Sequence, residues 1–269
     1  MKKQSSLSEA LKSTFNIAAY LIVFAAAVWL YFNVLGDPSH FEGGNIENNP
    51  KKGDYFGVIY KGGPIVPILM TLAVVTIIFF IERFISITIA KGRGNVVTFL
   101  QNIKSLVAEE KIDEAIVLCD KQRGSVANVL RAGLQRYKAM KAEKNMTKDQ
   151  KILSIQKELE EASALETPML SKNLVILSTH ASIGVLVGLI GTVLGMIRAF
   201  AALATSGAPD AVALSTGISE ALVNTAIGII TSTLSIIAFN TFNAMIDAIT
   251  YRIDEAGFTI VQAFAASEK

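Results

Sequence analysis

One carboxylate and several hydroxyls lie inside otherwise apolar stretches of this chain. Glu220, Asn224, Thr225, Thr231, Ser232 and Ser235 share one such stretch, and Thr192 and Arg198 belong to the stretch before it. Polar groups are costly in lipid, so they usually face protein or a water-filled path. A hydroxyl can both donate and accept a hydrogen bond. A pair of hydroxyls can therefore hold a water chain, or solvate a carboxylate in either charge state. These residue types point to ion passage. No nucleophile–base–acid grouping accompanies them, and His40 and His180 have no evident partners in the sequence, so an enzyme is not expected. Each Ser or Thr alone has a plainer reading, a bond back to the carbonyl four residues earlier. Glu220 has no such reading, because a carboxylate in lipid needs a cation, a proton or water.

Spacing sharpens this reading. At about 100° per residue, Gly184, Gly188, Gly191 and Gly195 fall within about 60° of one another. Such a stripe lets helices approach closely, and it predicts that the helix is buried against protein. In the next stretch Thr216, Glu220, Asn224, Thr231 and Ser235 share a face. Thr225, Ser232 and Asn243 form a second stripe about 100° away. A turn centred between Ala208 and Pro209 leaves Thr192 and Thr225 equally far from it. An antiparallel hairpin then brings both threonines to one depth, and places Arg198 level with Ser219 and Glu220. Arg198 and Glu220 are predicted to lie within charge-pairing range.

The element that must position these groups is a membrane hairpin, Asn173 to Ala244, turning at Ser206-Gly207-Ala208-Pro209-Asp210. With 269 residues, 51% of them hydrophobic and 18% charged, the chain is too apolar for an ordinary soluble domain. The fold class expected is an all-α polytopic membrane protein with four transmembrane helices and a helical soluble domain. A net charge of +2 gives little support to a nucleic-acid partner. Cys119 is the lone cysteine and reads as a small core residue. With two histidines and one cysteine, no metal site and no cofactor are expected.

In order, residues 1–35 comprise a polar tail and a first span, Phe15 to Leu35. Its Trp29, Tyr31 and Phe32 suit an interfacial belt, and Val34-Leu35-Gly36 is a weak cleavage site, so it reads as a retained helix. Residues 36–63 read as an irregular loop rich in Gly, Asn and Pro. Residues 64–90 form the second span, with Pro64 and Pro67 in its first turn and Glu82-Arg83 near its end. Residues 91–172 form an all-α soluble domain. Helices are expected there over Val96–Glu109 (Val97, Leu100, Ile103, Leu106 and Val107 inward), Glu110–Leu118, Val126–Met140 capped by Ser125, and Lys148–Leu165 capped by Thr147. The third span is 173–204, a short turn 205–215, the fourth span 216–245, and 246–269 a helical tail. Lys2, Lys3, Lys12, Lys91, Arg93 and Lys172 flank the spans on one side, whereas 204–215 has no Lys or Arg. The positive-inside rule puts both termini and the soluble domain in the cytoplasm.

The two polar stretches closely resemble the MotA/TolQ/ExbB proton-channel family, especially its ExbB/TolQ branch. Gly188-Leu189-Ile190-Gly191-Thr192-Val193-Leu194-Gly195-Met196-Ile197 is similar to the family's GLLGTVxGM signature. Gly217-Ile218-Ser219-Glu220-Ala221-Leu222-Val223-Asn224-Thr225-Ala226-Ile227-Gly228 is similar to its GIxEALxxTAxG signature. Glu82-Arg83, Gly124 to Leu134 and Asn240 extend the likeness, which covers about Pro64 to Ala248. There are departures. Val185 and Leu234 stand where the family has proline, Asn224 stands where it more often has a small residue, and the first span is additional to a three-span core.

The resemblance implies a multi-pass protein of the bacterial inner membrane, so that the outer loops are periplasmic. It implies a homopentamer around one or two ExbD-like single-span partners, each bringing a membrane Asp that takes up and releases the ion. Thr192 and Thr225 would line the path beside that Asp, with Glu220 toward its outer mouth. Asn224, Thr231, Ser232, Ser235 and Arg198 are path or packing residues. This chain has no mid-membrane carboxylate able to cycle, so the chemistry also asks for a partner. Proton flow would drive the partner, which engages a TonB-like transducer. A TolQ-like, gliding or flagellar-type stator is the nearest alternative. A secondary transporter, which would show internal repeats, or a non-conducting scaffold is more distant. The hydroxyls at 231–235 are compatible with Na⁺ as well as H⁺; the resemblance favours H⁺.

Overall fold

Uncharged runs of Leu, Ile, Val and Ala without an interior breaker become helix wherever they occur in the computed structural model. The structure describes residues 17–205 and 211–268, with side chains over 17–201 and 214–268. Residues 1–16 and the turn expected at 206–210 lie outside this set. Among the described residues there is no strand, only an isolated bridge between Phe41 and Pro50. Four helices among the described residues are long and apolar enough to cross a membrane, and the chain is an all-α polytopic membrane protein.

Helix α1 spans Ile17–Leu35 and ends in a π turn at Tyr31–Leu35. Short α2 is Tyr55–Tyr60, and α3 is Val66–Ala90, preceded by a 3-10 turn at Gly63–Ile65 that carries Pro64. Then come α4 (Val96–Ala108), α5 (Ile112–Gln122), α6 (Gly124–Ala142) and α7 (Lys148–Ser171). Two long helices close the order, α8 (Leu174–Thr205) and α9 (Ala211–Ser267). Helix α9 starts five residues ahead of the 216 expected and runs on through the tail without a break.

These elements form two compact units. One joins the described residues up to Phe80 with Val175–Phe239, and the other joins Ile81–Leu174 with Asn240–Lys269. In the first unit the glycine stripe of α8 meets α9 backbone to backbone. A Cβ on Gly184 would lie 3.1 Å from the Gly228 carbonyl, and one on Gly188 3.0 Å from that of Asn224. The stripe is buried as expected, but the opposite face of α8 is open in the single chain: Leu186, Leu189, Val193 and Ile197 are more than half exposed. Tyr31, Leu35 and Val66 form a cluster with Ile59, Tyr60, Met70 and Ile227. The Tyr31 hydroxyl donates to the Tyr60 carbonyl at 2.9 Å and the two rings stack.

The loop at 36–63 is more built than an irregular segment. Asp37 caps a 3-10 turn through Ser39 N–H, and Asp54 caps α2 through the N–H groups of Phe56 and Gly57. Phe41 is fully buried, and His40 Nδ1 lies 2.8 Å from Asp54 Oδ2. The hydrogen bond from His40, then those from the Gly57 and Phe56 N–H groups, hold the Asp54 carboxyl below its ordinary range. A depressed carboxyl stabilises the fold above its unfolded value, and that contribution is lost as pH falls through the folded value. Amide exchange of α2 should therefore quicken below about pH 4. Asp54→Asn should remove most of this pH dependence.

In the second unit, α4 buries Phe99, Leu100, Ile103 and Val107, while Val97, expected inside, is 42% exposed. Helix α5 starts later than expected because Glu110 takes a left-handed φ of 58°, and it runs on to Gln122. Ser125 does not cap α6. The cap position is Arg123 at φ 56°, without a side-chain cap bond, and Ser125 sits inside the first turn. Gly124 lets this turn approach the end of α3, since a Cβ there would lie 2.5 Å from the Ala90 carbonyl. Thr147 does cap α7, in a capping box with Gln150. Cys119 is buried among this core, and burial pushes its thiol up to about 12. The tail of α9 packs Ile253, Ile260 and Phe264 into the unit; Phe264 meets Tyr137 edge to face. Buried Arg83 holds both Glu82 oxygens and donates to the Leu170 carbonyl at 3.3 Å, tying α3 to the end of α7.

Candidate functional site: a hydroxyl pair between two apolar helices

Close approach along the glycine stripe places Thr192 of α8 against Thr225 of α9, and their Oγ1 atoms are in hydrogen-bond contact. Each also bonds to backbone. Thr225 donates to the Ala221 carbonyl at 3.0 Å, and Thr192 lies 3.2 Å from that of Gly188 and 3.4 Å from that of Ala221. Two hydroxyl protons face more acceptors than they can serve at once, so either oxygen can turn toward a visiting donor or acceptor. Both side chains are part-buried, which leaves the pair an open edge.

Toward the start of α9, Glu220 is 5% exposed and pairs with Arg198 of α8, whose side chain is 48% exposed. The charge pairing expected from the spacing is thus found within one chain. The turn before α3 lies over this pair: a Cβ on Gly63 would be 3.0 Å from Glu220 Cδ and 3.1 Å from Arg198 Nη1. Gly63 has a φ of +76°, which suits glycine on conformational grounds as well. Asn224, one turn beyond Glu220, donates from Nδ2 to the Gly62 carbonyl at 2.8 Å. Its Oδ1 has no partner among the described residues.

The other polar groups of α9 do not join the threonine pair. Thr231 donates to the Ile227 carbonyl and Ser235 to that of Thr231, the plain back-bonding reading. Ser232 crosses to the Ala181 carbonyl of α8. Ser235 also faces Thr76 of α3 at 3.2 Å. Thr76 in turn lies 2.8 Å from His180 Nδ1, and Tyr20 Oη of α1 lies 2.7 Å from His180 Nε2. Four helices therefore meet at buried His180, which does have partners. Tyr20, Gly62, Gly63 and Thr76 were missed in the sequence; the threonines inside the second apolar span, Thr71 and Thr76, were the one available signal. Among the described residues no group of three or more His, Cys, Asp or Glu is placed to hold a metal ion.

The profile of the MotA/TolQ/ExbB proton channel family matches residues 121–255, just over half of the chain. The chain belongs to that family. It is 31% identical over 119 residues to the Tol-Pal system protein TolQ of Pseudomonas aeruginosa, covering 44% of this chain and 52% of that protein. Against TolQ of Haemophilus influenzae the identity is 38% over 86 residues, covering 31% and 37%. Against the biopolymer transport protein ExbB of Xanthomonas campestris pv. campestris it is 26% over 115 residues, covering 43% and 46%. The chain spans about half the length, or less, of these curated relatives. Within the MotA/TolQ/ExbB match lie the hydroxyl pair, Glu220 and Arg198; Tyr20, Gly62 and Thr76 lie outside it.

Proposed function

We propose that this chain is the channel subunit of a proton-driven membrane motor of the ExbB/TolQ type. The observation that carries the reading is the Thr192–Thr225 hydroxyl contact in the seam between two apolar helices. Glu220 is committed to Arg198, so the pair has no free carboxylate beside it and is suited to solvate one from another chain. An ExbD-like single-span partner would supply that Asp, inside a homopentamer of this chain in the bacterial inner membrane. The basic flanks support a cytoplasmic position for both termini and the α4–α7 helices. Coupling to outer-membrane uptake through a TonB-like transducer is the leading form. The TolQ names among the relatives favour a Tol-Pal-type motor as the second form, and the partner that co-purifies with the chain distinguishes the two.

Thr192→Val and Thr225→Val keep the side-chain shape and remove the hydroxyls. In vesicles carrying the chain with its single-span partner, each should lower proton flux by about tenfold, which corresponds to ~1.4 kcal/mol. Flux unchanged in both variants at normal assembly would end the channel reading and leave a scaffold. The same vesicles, with Na⁺ varied at fixed pH, separate H⁺ from Na⁺ as the driving ion.

A further inference from the structure

The last turn of α3, the start of α6 and the end of α7 line an open cavity of about 630 Å³ that lies apart from the threonine pair. Three features of its lining favour an oxyanion. Helix α6 opens here with no side-chain cap, so its first-turn N–H groups carry the positive end of the helix dipole uncovered. Ser125 lines the cavity, is 6% exposed, and its hydroxyl has no hydrogen-bond partner among the described residues. Arg93 and Arg123 also line it, and neither guanidinium has a partner among the described residues. The far wall has the opposite character: Glu166 accepts a hydrogen bond from Asn128 Nδ2 at 2.9 Å and has a second oxygen to offer a donor.

The surroundings select the kind of oxyanion. The cavity abuts Ile89 and Ala90, where a membrane-length helix ends, the depth at which lipid headgroups lie. Ile89 is 69% and Met169 67% exposed beside it, which gives an apolar flank. The charged side chains in the lining are Arg93, Arg123 and Glu166, a net charge of +1. We propose that this cavity binds the headgroup of a singly anionic phospholipid of the phosphatidylglycerol class. Its phosphodiester sits at the α6 N-terminus between Arg93, Arg123 and Ser125. Its glycerol hydroxyls donate to Glu166, and its acyl chains leave along Ile89 and Met169. A choline headgroup has no donor for Glu166, and the zwitterion's net charge of zero leaves the lining's +1 uncompensated.

The test uses the full-length protein in detergent, titrated with phosphatidylglycerol, phosphatidylcholine or inorganic phosphate, with bound molecules counted by native mass spectrometry. One phosphatidylglycerol per chain should be retained, with phosphatidylcholine held at least about tenfold more weakly. Arg93→Gln with Arg123→Gln should abolish that preference. Ser125→Ala, which removes only the hydroxyl, should weaken retention by about fivefold and serves if the double variant fails to assemble. Equal retention of both lipids, or retention indifferent to Ser125→Ala, overturns the proposal. Inorganic phosphate that binds alone and displaces the lipid headgroup assigns the site to a free oxyanion and also overturns it.

Discussion

Gly191→Ala is expected to destabilise the α8–α9 seam, although it adds only one methyl group. The new Cβ would lie between 2.5 and 2.7 Å from Cβ, Cγ and Nδ2 of Asn224. Asn224 cannot swing clear, because its own Cβ is among the clashing atoms and its amide is held by the Gly62 carbonyl. Alanine gains up to about 1 kcal/mol over glycine in a helix interior, whereas overpacking costs about 1–3 kcal/mol. The clash wins. Asn224→Gly in the same chain removes Cβ, Cγ and Nδ2 together, and the pair should recover part of the loss. A double-mutant cycle on thermal unfolding in detergent should show a coupling on the order of 1–3 kcal/mol. Additive single effects would mean that Asn224 is not what Gly191 makes room for.

The second large effect concerns the ion pair near the start of α9, where burial makes the two partners unequal. Removing Arg198 leaves a 5% exposed carboxylate with no cation, whereas removing the Glu220 charge leaves an arginine that already reaches solvent. Breaking a buried pair by deleting one partner costs about 3–5 kcal/mol when both ions are enclosed. Arg198 is half exposed, so Arg198→Ala should cost the lower end of that range, and Glu220→Gln clearly less. The exchange Arg198→Glu with Glu220→Arg should restore part of the stability lost by either single reversal. An exchange no better than the singles would show that packing under the Gly62–Gly63 turn, and not charge, sets the requirement at these positions.

The features that sequence patterning exposed are those set by helical period alone. Gly184, Gly188, Gly191 and Gly195 repeat at three and four residues, which defines a face. Equal spacing about the turn brought Thr192 to Thr225 and Arg198 to Glu220, because antiparallel helices in contact have little freedom of register once glycines interdigitate. Period defines a face but not its neighbour. Thr231, Ser235 and Asn224 share a stripe with Glu220, yet they meet α3, His180's cluster or their own backbone, and only the arrangement of α1 and α3 decides that. The cap of α6 was misplaced at Ser125 because Arg123 adopts a left-handed φ, which its side chain does not advertise. Val97 is exposed and Phe99 buried at the start of α4, where one turn holds too few residues to fix the inward direction. The order in the loop at 36–63 rests on Asx caps and the buried Phe41, contacts between residues up to twenty apart that a polar composition conceals.

The junction at His180 has an electrical consequence. Thr76 also bonds the Leu72 carbonyl, at 2.8 Å. In one assignment every donor finds an acceptor: Tyr20 O–H donates to Nε2, Nδ1–H donates to Thr76, and Thr76 O–H donates to Leu72. The imidazole is then neutral, with both nitrogens committed. A proton arriving from either side finds no lone pair to occupy unless Tyr20 first breaks its bond and turns its hydroxyl away. Tyr20 of α1 thus closes the one lone pair that the imidazole has left.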